Sequence, residues 1–169
     1  ERFLMGFEES CGYLTGLHVR DKDAVNAALL VCEMAAHYKM EGKTLCQVMD
    51  ELYAQYGTYY TKADSFAFAG AGAMERMGAV MDRLRREQLP EIAGAAVAGF
   101  TDYRNIAATG LPAADVLTWE LEDGCAVTAR PSGTEPKLKL YFTVRADNRE
   151  ACLQRYEALR TAMTGAAGL

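Results

Sequence analysis

The sequence lacks any run of about 18 consecutive apolar residues, the length that crosses a membrane. Its start, ERFLMGFEES, has no basic segment before an apolar stretch, so we expect neither a membrane span nor a signal peptide. Histidine occurs only at His18 and His37, without a partner at metal-ligand spacing, and we therefore expect no metal site in these residues. The net charge is −5 and no basic stripe is present, which argues against nucleic acid as a partner.

Disulfide-forming patterns are also missing. The cysteines are odd in number and show no CxxC spacing: Cys11, Cys32, Cys46, Cys125 and Cys152. We interpret them as reduced structural thiols, as in proteins of the cytosol, and we expect a cytoplasmic protein.

The chain is long enough to bury a core. It has 169 residues, of which 50% are hydrophobic, and this length fits one domain or parts of two. The first residue is Glu1, within the apolar run RFLMGF, which is typical of the middle of a structural element. We therefore expect these residues to be part of a longer polypeptide.

The first third of the chain predicts one strand and two helices. Residues 2–7 are predicted to form a buried strand, followed by the polar loop EESCGYLTG. Residues 23–40 are predicted to form a helix that packs on more than one side and ends at Gly42. A capping box of Thr44 and Gln47 begins a second helix, which ends at Gly57.

The composition changes after Gly57, where we place a domain boundary between residues 1–57 and 58–169. The second part predicts an α+β fold, in which helices cover one face of an antiparallel sheet. Its predicted strands are residues 58–68, 95–103, 116–121, 125–130 and 137–145, and its predicted helices are residues 74–87 and a final helix that begins with Asp147 and Glu150.

The stretch TARPSGTEPKLKLY, residues 128–141, has the composition of an anion-binding loop. Arg130 ends one predicted strand and offers a planar guanidinium to phosphate oxygens. Gly133 permits close approach of backbone N–H groups, which in a turn form a concave anion site, and Ser132 and Thr134 add hydroxyl donors. The alternative is an ordinary hairpin loop with solvated charges, since Ser, Gly and Thr are common in turns. The stretch is not a P-loop, because the chain has no GxxxxGK[ST] motif.

RPSGTEPKLKLY, GFEESCGYLTG and VRDKDA together resemble the α-D-phosphohexomutases, the phosphoglucomutase and phosphomannomutase family. The resemblance implies the end of an α/β domain 3 with mostly helices remaining, followed by a domain 4 of the TATA-binding-protein-like type. It implies that the non-reacting phosphate of the substrate is held by Arg130, Ser132, Gly133, Thr134 and Lys139. It also implies that the sugar hydroxyls are read by Glu8, Glu9 and Ser10.

Lys22 resembles a lysine of the family's active-site cleft and is a candidate for proton transfer or phosphate binding. The alternative is an exposed residue in the first turn of a helix, balanced by Asp21 and Asp23.

The resemblance also implies a mechanism that these residues cannot complete. In the family, a phosphoserine of domain 1 transfers its phosphoryl group through a hexose bisphosphate, such as glucose 1,6-bisphosphate, and Mg²⁺ is bound by aspartates of domain 2. Neither of those loops occurs in this sequence, so we expect it to be inactive alone and to work with the remaining domains of its chain. We expect a phosphoglucomutase of the bacterial and animal branch.

Two kinds of alternative stay open. Within the family, the enzyme is a phosphomannomutase, a phosphopentomutase or a glucose 1,6-bisphosphate synthase instead. Outside it, the chain is a non-catalytic α+β interaction module without a small ligand.

Overall fold

The computed structural model describes residues 3–8 and 11–169. The chain divides into two compact units, Glu1–Gln55 and Tyr56–Leu169. The elements before the second unit's sheet are β1 (Met5–Glu8), β2 (Gly12–Thr15), α1 (Ala24–Met40) and α2 (Leu45–Tyr56). The elements that follow are β3 (Thr58–Ala67), α3 (Ala73–Glu87), β4 (Glu91–Ile92), β5 (Ala95–Asp102), α4 (Ile106–Thr109), β6 (Leu117–Leu121), β7 (Ala126–Pro131), β8 (Lys137–Ala146) and α5 (Arg149–Ala167).

The beginning of the chain differs from the sequence prediction. The strand expected over residues 2–7 runs from Met5 to Glu8, and the segment predicted as a loop contains a second strand, β2. The two strands form an antiparallel hairpin in which Glu8 lies opposite Gly12. The predicted burial of β1 is wrong, since Phe7 is 73% exposed. Within the described residues β1 has β2 as its only strand partner, and three of its four residues are exposed.

The ends of the two helices of the first unit are set by the predicted residues. Asp23 caps α1 by accepting a hydrogen bond from the Asn26 amide at 3.0 Å, and Gly42 follows the helix with φ +76°. The predicted capping box is confirmed: the Thr44 amide donates to Gln47 Oε1 at 2.8 Å and the Gln47 amide donates to Thr44 Oγ1 at 3.3 Å. None of the residues of α1 is buried in the described structure, so these residues do not supply the neighbours that its apolar faces require.

The second unit is built on a six-stranded antiparallel sheet with the order β3-β8-β7-β6-β5-β4. Its first strand pairs with its last, since Thr58–Ala67 lies along Lys137–Ala146 over the full length of both. The hairpin predicted between residues 116 and 130 is confirmed, with Gly124 at φ +80° in the turn between β6 and β7.

Alternation along the strands separates a buried face from an open face. In β8, Leu138, Leu140, Phe142 and Val144 are at most 1% exposed, while the residues between them are half-buried or exposed. The helices α3 and α5 contribute buried residues at helical spacing to the same core. The predicted fold class, an α+β unit with helices on one face of an antiparallel sheet, is therefore confirmed.

The start of the last helix requires a correction. The sequence suggested Asp147 as the beginning of a capping box, but Asn148 is the N-cap and its side-chain oxygen accepts from the Ala151 amide at 2.9 Å. Asn148 is favoured because its backbone is extended, at φ −154° and ψ 171°, immediately before the helical residues. The short elements β4 and α4 were not predicted, since neither is long enough to show a hydrophobic period.

A polar contact fastens the edge strand β3 to α5. Tyr156, which is 1% exposed, donates its hydroxyl to Asp64 Oδ2 at 2.6 Å, and Arg160 Nε donates to the same oxygen at 2.9 Å. Burial raises the pKa of Tyr156 well above its ordinary value, and the hydrogen bond to Asp64 and the charge of that carboxylate add to the effect. The sheet edge is thus held by a carboxylate that has two donors.

The identity of the last helix cap is testable by substitution. Asn148→Ala should lower the free energy of unfolding by about 1 kcal/mol, because the Ala151 amide loses its acceptor. Asp147→Ala removes the adjacent exposed carboxyl and should change stability by less than about 0.5 kcal/mol. Urea unfolding followed by circular dichroism measures both, and a larger loss for Asp147→Ala would contradict the assignment.

Tyr156 should make stability fall at alkaline pH. Its pKa is raised in the folded state, so its contribution is complete below the ordinary value of 10.0 and is lost as the pH rises above that value. Tyr156→Phe should cost about 1 kcal/mol at neutral pH, since Asp64 keeps Arg160 as a partner. The variant should also lose stability less steeply between pH 9 and 11 than the unmodified chain.

Tyr59→Phe is the control variant. It removes the hydroxyl of a tyrosine that is 43% exposed and lies on β3, the strand that also contains Asp64. It provides the reference for the slope of stability against pH. Parallel pH profiles for the Tyr156→Phe chain and the unmodified chain would refute this assignment.

Candidate functional site

The predicted phosphate-binding loop connects β7 to β8. The pairing register places Arg130 directly opposite Lys139, and Thr128 directly opposite Tyr141. Side chains of a strand alternate between its two faces, so these four residues share the face opposite to the buried Ala129 and Leu140. They therefore point away from the helices, toward the open side of the sheet.

Backbone hydrogen bonds fix the shape of the loop. The Ser132 amide donates to the Lys137 carbonyl at 2.8 Å, which closes the turn between the strands. Ser132 Oγ accepts from the Thr134 amide at 3.4 Å and from the Glu135 amide at 3.3 Å. Two backbone amides of this turn, for which the sequence predicted a concave anion site, are thus directed at the serine oxygen in long hydrogen bonds.

A cavity of about 270 Å³ lies at this loop. It is lined by all the residues that the sequence predicted for the phosphate, Arg130, Ser132, Gly133, Thr134 and Lys139, together with Pro131 and Tyr141. This volume is below the roughly 300 Å³ at which pockets for drug-sized ligands begin. The cavity therefore has room for a phosphate group and is smaller than a site for a whole drug-sized ligand.

The charges around this cavity are unbalanced. Lys137 forms an ion pair with Glu135 at 2.9 Å and does not line the cavity. Arg130 and Lys139 lie opposite each other on paired strands. Among the described residues, no carboxylate forms an ion pair with either of them. Like charges at directly opposed positions of a sheet repel each other. The opposed cations Arg130 and Lys139 therefore favour a bound anion.

Tyr141 belongs to this cavity and was missing from the predicted site. The Nζ atom of Lys139 lies 5.9 Å from the centroid of the Tyr141 ring, within the range of a cation–π contact. The signal was present in the sequence, because the alternation of β8 places Tyr141 on the same face as Lys139.

The predicted sugar site lies on the hairpin of the first unit. Glu8 ends β1 and Lys22 follows β2, and Lys22 Nζ lies 3.6 Å from Glu8 Oε1 and 3.5 Å from Asp21 Oδ1. The charges of Asp21 and then Glu8 raise the pKa of Lys22. Glu8 and Lys22 line a cavity of about 230 Å³ together with Tyr13 and Gly12. The predicted residues Glu9 and Ser10 lie outside the described residues.

Asp23, which the sequence offered as a balancing charge for Lys22, contacts other groups. It caps α1 and accepts a hydrogen bond from His18 Nε2 at 3.0 Å. The same helix holds the hairpin, because Asn26 Nδ2 donates to the Thr15 carbonyl at 2.9 Å. The end of β2 and the segment with Lys22 are thereby fixed to the start of α1.

A third cavity, of about 430 Å³, lies beside β5 and contains Phe100, Thr101 and Asp102. Asp102 is its charged lining residue and is paired with Arg85 at 2.8 Å. That carboxylate is already used to hold α3 against the sheet, so this cavity lacks the unbalanced charge of the phosphate loop.

Over residues 3–8 and 11–169, no three His, Cys, Asp or Glu side chains are grouped so that they could hold a metal ion. None of the helices in this described part combines the length and the apolar character needed to cross a bilayer.

Comparison with known proteins gives consistent results in both units. Residues 1–56 match the family model for phosphoglucomutase/phosphomannomutase alpha/beta/alpha domain III, and residues 79–159 match that for the phosphoglucomutase/phosphomannomutase C-terminal domain. A phosphoglucomutase of Staphylococcus haemolyticus is 38% identical over 91% of this chain. A probable phosphomannomutase of Haemophilus influenzae is 38% identical over 84% of it. The chain spans 30% and 28% of the length of these two curated relatives.

The fold is similar to that of a solved structure. A Paramecium phosphoglucomutase, the exocytosis-sensitive phosphoprotein pp63/parafusin in its open form, matches with a TM-score of 0.65 over 95% of this chain and 30% of its own length. The identity is 19%, so this likeness concerns the fold alone. The two family models together cover most of the sequence, and the chain belongs to the phosphoglucomutase/phosphomannomutase family.

Proposed function

We propose that these residues provide the substrate-recognition part of a phosphoglucomutase that interconverts glucose 1-phosphate and glucose 6-phosphate. In this proposal the loop after β7 holds the phosphate that is not reacting, and the hairpin of the first unit holds the sugar hydroxyls. The observation that carries the proposal is the pair of directly opposed cations, Arg130 and Lys139, at a cavity that also contains Ser132, Gly133 and Thr134.

The phosphate would relieve the repulsion between these two cations. The Arg130 guanidinium donates two parallel hydrogen bonds to phosphate oxygens, while the Lys139 ammonium acts as a compact charge on the neighbouring strand. Both side chains start from paired strands rather than from the residues that connect them, so their separation is set by the sheet. A dianion between them replaces a repulsive contact with two attractive ones.

Ser132 supplies the next donor. Its oxygen accepts from two loop amides, and this leaves the hydroxyl hydrogen free to donate to a phosphate oxygen. Hydrogen bonds in a chain polarise one another, so the amides make this hydroxyl a better donor. Gly133 contributes no side chain at the mouth of the cavity, where a Cβ would meet no neighbouring atom within 4 Å.

Glu8 and Lys22 would read the sugar hydroxyls. The carboxylate of Glu8 accepts hydrogen bonds from adjacent hydroxyls, and in the described residues it is paired with a single cation at 3.6 Å. We assign Glu9 and Ser10 to the same role in binding the sugar hydroxyls on the strength of the sequence resemblance.

Remote contacts of this kind raise the rate by fixing the reacting end of the sugar. A bound phosphate and bound hydroxyls hold the other phosphate in one direction, which removes rotational freedom before reaction. The cavity at the loop is large enough for a phosphate group. Either phosphate of glucose 1,6-bisphosphate therefore fits it, as a reaction that exchanges the two ends requires.

The proposal assigns the phosphoserine and the Mg²⁺ site to other parts of a longer enzyme. Over residues 3–8 and 11–169, no three His, Cys, Asp or Glu side chains lie together so that they could hold this metal. The relatives are more than three times as long as the matched segment, which supports this division. These residues alone would bind sugar phosphates without converting them. A cytosolic setting is part of the proposal, since the five cysteines are unpaired.

A second candidate is phosphomannomutase activity, because one relative at 38% identity is described as a probable phosphomannomutase. The two sugars differ in the configuration of one hydroxyl, which a carboxylate such as Glu8 can distinguish. Turnover of glucose 1-phosphate, mannose 1-phosphate and ribose 1-phosphate by a polypeptide that contains the upstream domains decides between them, and it includes phosphopentomutase as an outcome.

Substitution of the two opposed cations tests the phosphate site in this chain. Arg130→Ala and Lys139→Ala should each weaken the binding of glucose 1,6-bisphosphate, by about 10-fold or more for Arg130, because a charge-assisted contact is worth about 1.5–3 kcal/mol. Amide chemical shifts of Ser132–Thr134, followed by NMR during titration, report the affinity.

Lys137→Ala is the matched control, since Lys137 lies two residues from Lys139 on the same strand but is paired with Glu135. It should leave the affinity within about two-fold of that of the unmodified chain. Absence of any shift at the loop, even at millimolar ligand, would support the interaction-module alternative and refute the phosphate site.

A further inference from the structure

Gly12 occupies the one point on the hairpin where the side chains of Glu8 and Lys22 converge. It lies directly opposite Glu8 in the β1-β2 pairing and is buried. A Cβ at this position would lie 2.7 Å from Glu8 Oε1 and 2.8 Å from Lys22 Cδ. Both distances are shorter than 3.0 Å, which real Cβ atoms essentially never show. The side chains of Glu8 and Lys22 therefore occupy the space that a Cβ at position 12 would need.

The backbone does not require a glycine at this position. Gly12 is not among the glycines with positive φ, and the residue of the hairpin turn that has a positive φ is Cys11, at 61°. Alanine is therefore compatible with the backbone conformation at position 12. The absence of a side chain serves the packing of Glu8 and Lys22.

Gly6 provides the contrast within the same hairpin. It lines the same cavity and pairs with Leu14, but a Cβ on Gly6 would meet the Phe3 ring at 3.7 Å, an ordinary van der Waals contact. A methyl group thus fits at position 6 without movement of its neighbours, whereas at position 12 the side chains of Glu8 and Lys22 must shift.

We propose that Gly12 is a positioning residue that sets the Glu8–Lys22 pair in its place at the mouth of the sugar cavity. The pair presents a carboxylate that accepts hydrogen bonds from hydroxyl groups beside an ammonium that donates to hydroxyl oxygens, which is the pattern for a polyol such as a sugar. This reading of the ligand rests on the proposed function, whereas the effect of Gly12 on the pair does not. A single methyl group at position 12 requires the side chains of Glu8 and Lys22 to shift from their present positions.

The effect on the pair is measured without any ligand. The pKa of Lys22 is raised by Asp21 first and by Glu8 second, so Gly12→Ala should lower it part of the way toward its ordinary value. Titration of the Lys22 side chain by ¹³C NMR measures this change, and Gly6→Ala should leave the titration unaltered. The hydrogen-bonded side-chain amide of Asn26, which donates to Thr15, shows in the same samples that the hairpin keeps its attachment to α1.

The effect on the ligand is measured with glucose 1,6-bisphosphate. Gly12→Ala and Lys22→Ala should each weaken its binding by about two- to five-fold, as expected for a partly exposed ion pair. Because both substitutions act on the same pair, the double variant should bind as weakly as either single variant rather than multiplying the losses. Binding of inorganic phosphate at Ser132–Thr134 should be unchanged in all three.

The outcomes separate the two proposals. Failure of glucose 1,6-bisphosphate to bind the unmodified chain contradicts the proposed function, while the Lys22 titration still tests the role of Gly12. An unchanged Lys22 titration in Gly12→Ala overturns the positioning role. Multiplicative losses in the double variant also overturn it, since general damage to the hairpin adds to the loss of Lys22 instead of acting through it.

Discussion

The register between β7 and β8 is the constraint on which the phosphate site depends. It places Arg130 opposite Lys139 on the open face, while Ala129 and Leu140 enter the core beside them. Because side chains alternate with a period of two, a slip of one residue would bury both cations and expose the core of the sheet. The packing of the hydrophobic core therefore determines the face of the sheet on which Arg130 and Lys139 lie, although no charged residue is part of that core.

The two candidate sites use charge in opposite ways. Glu8 and Lys22 are an ion pair before any ligand is present, and such a pair suits neutral hydroxyls that add hydrogen bonds to both partners. Arg130 and Lys139 have the same sign and no carboxylate partner among the described residues, so their arrangement favours an anion. A sugar phosphate has both kinds of group, which is the reason for assigning the two sites to one ligand class.

The sequence predicted those parts of the fold that repeat over several residues. The alternation of β8 and the stripe of α5 each involve three or more residues with one period, and the capping box at Thr44 and Gln47 has a fixed spacing of three residues. It misplaced features that depend on a single conformation, such as the cap at Asn148 rather than Asp147. The exposure of β1 was missed because apolar composition does not reveal whether a partner covers it.

That the residues of the proposed phosphate loop line one cavity could be predicted because most of them are contiguous. The space at Gly12 depends on a contact between β1, β2 and Lys22 that only coordinates reveal. The most direct measurement of the central claim is a crystal structure of the chain soaked in glucose 1,6-bisphosphate. The account predicts a phosphate within about 3 Å of the Arg130 guanidinium and on the same face as Lys139. Bound ligand whose phosphates contact neither residue would contradict it.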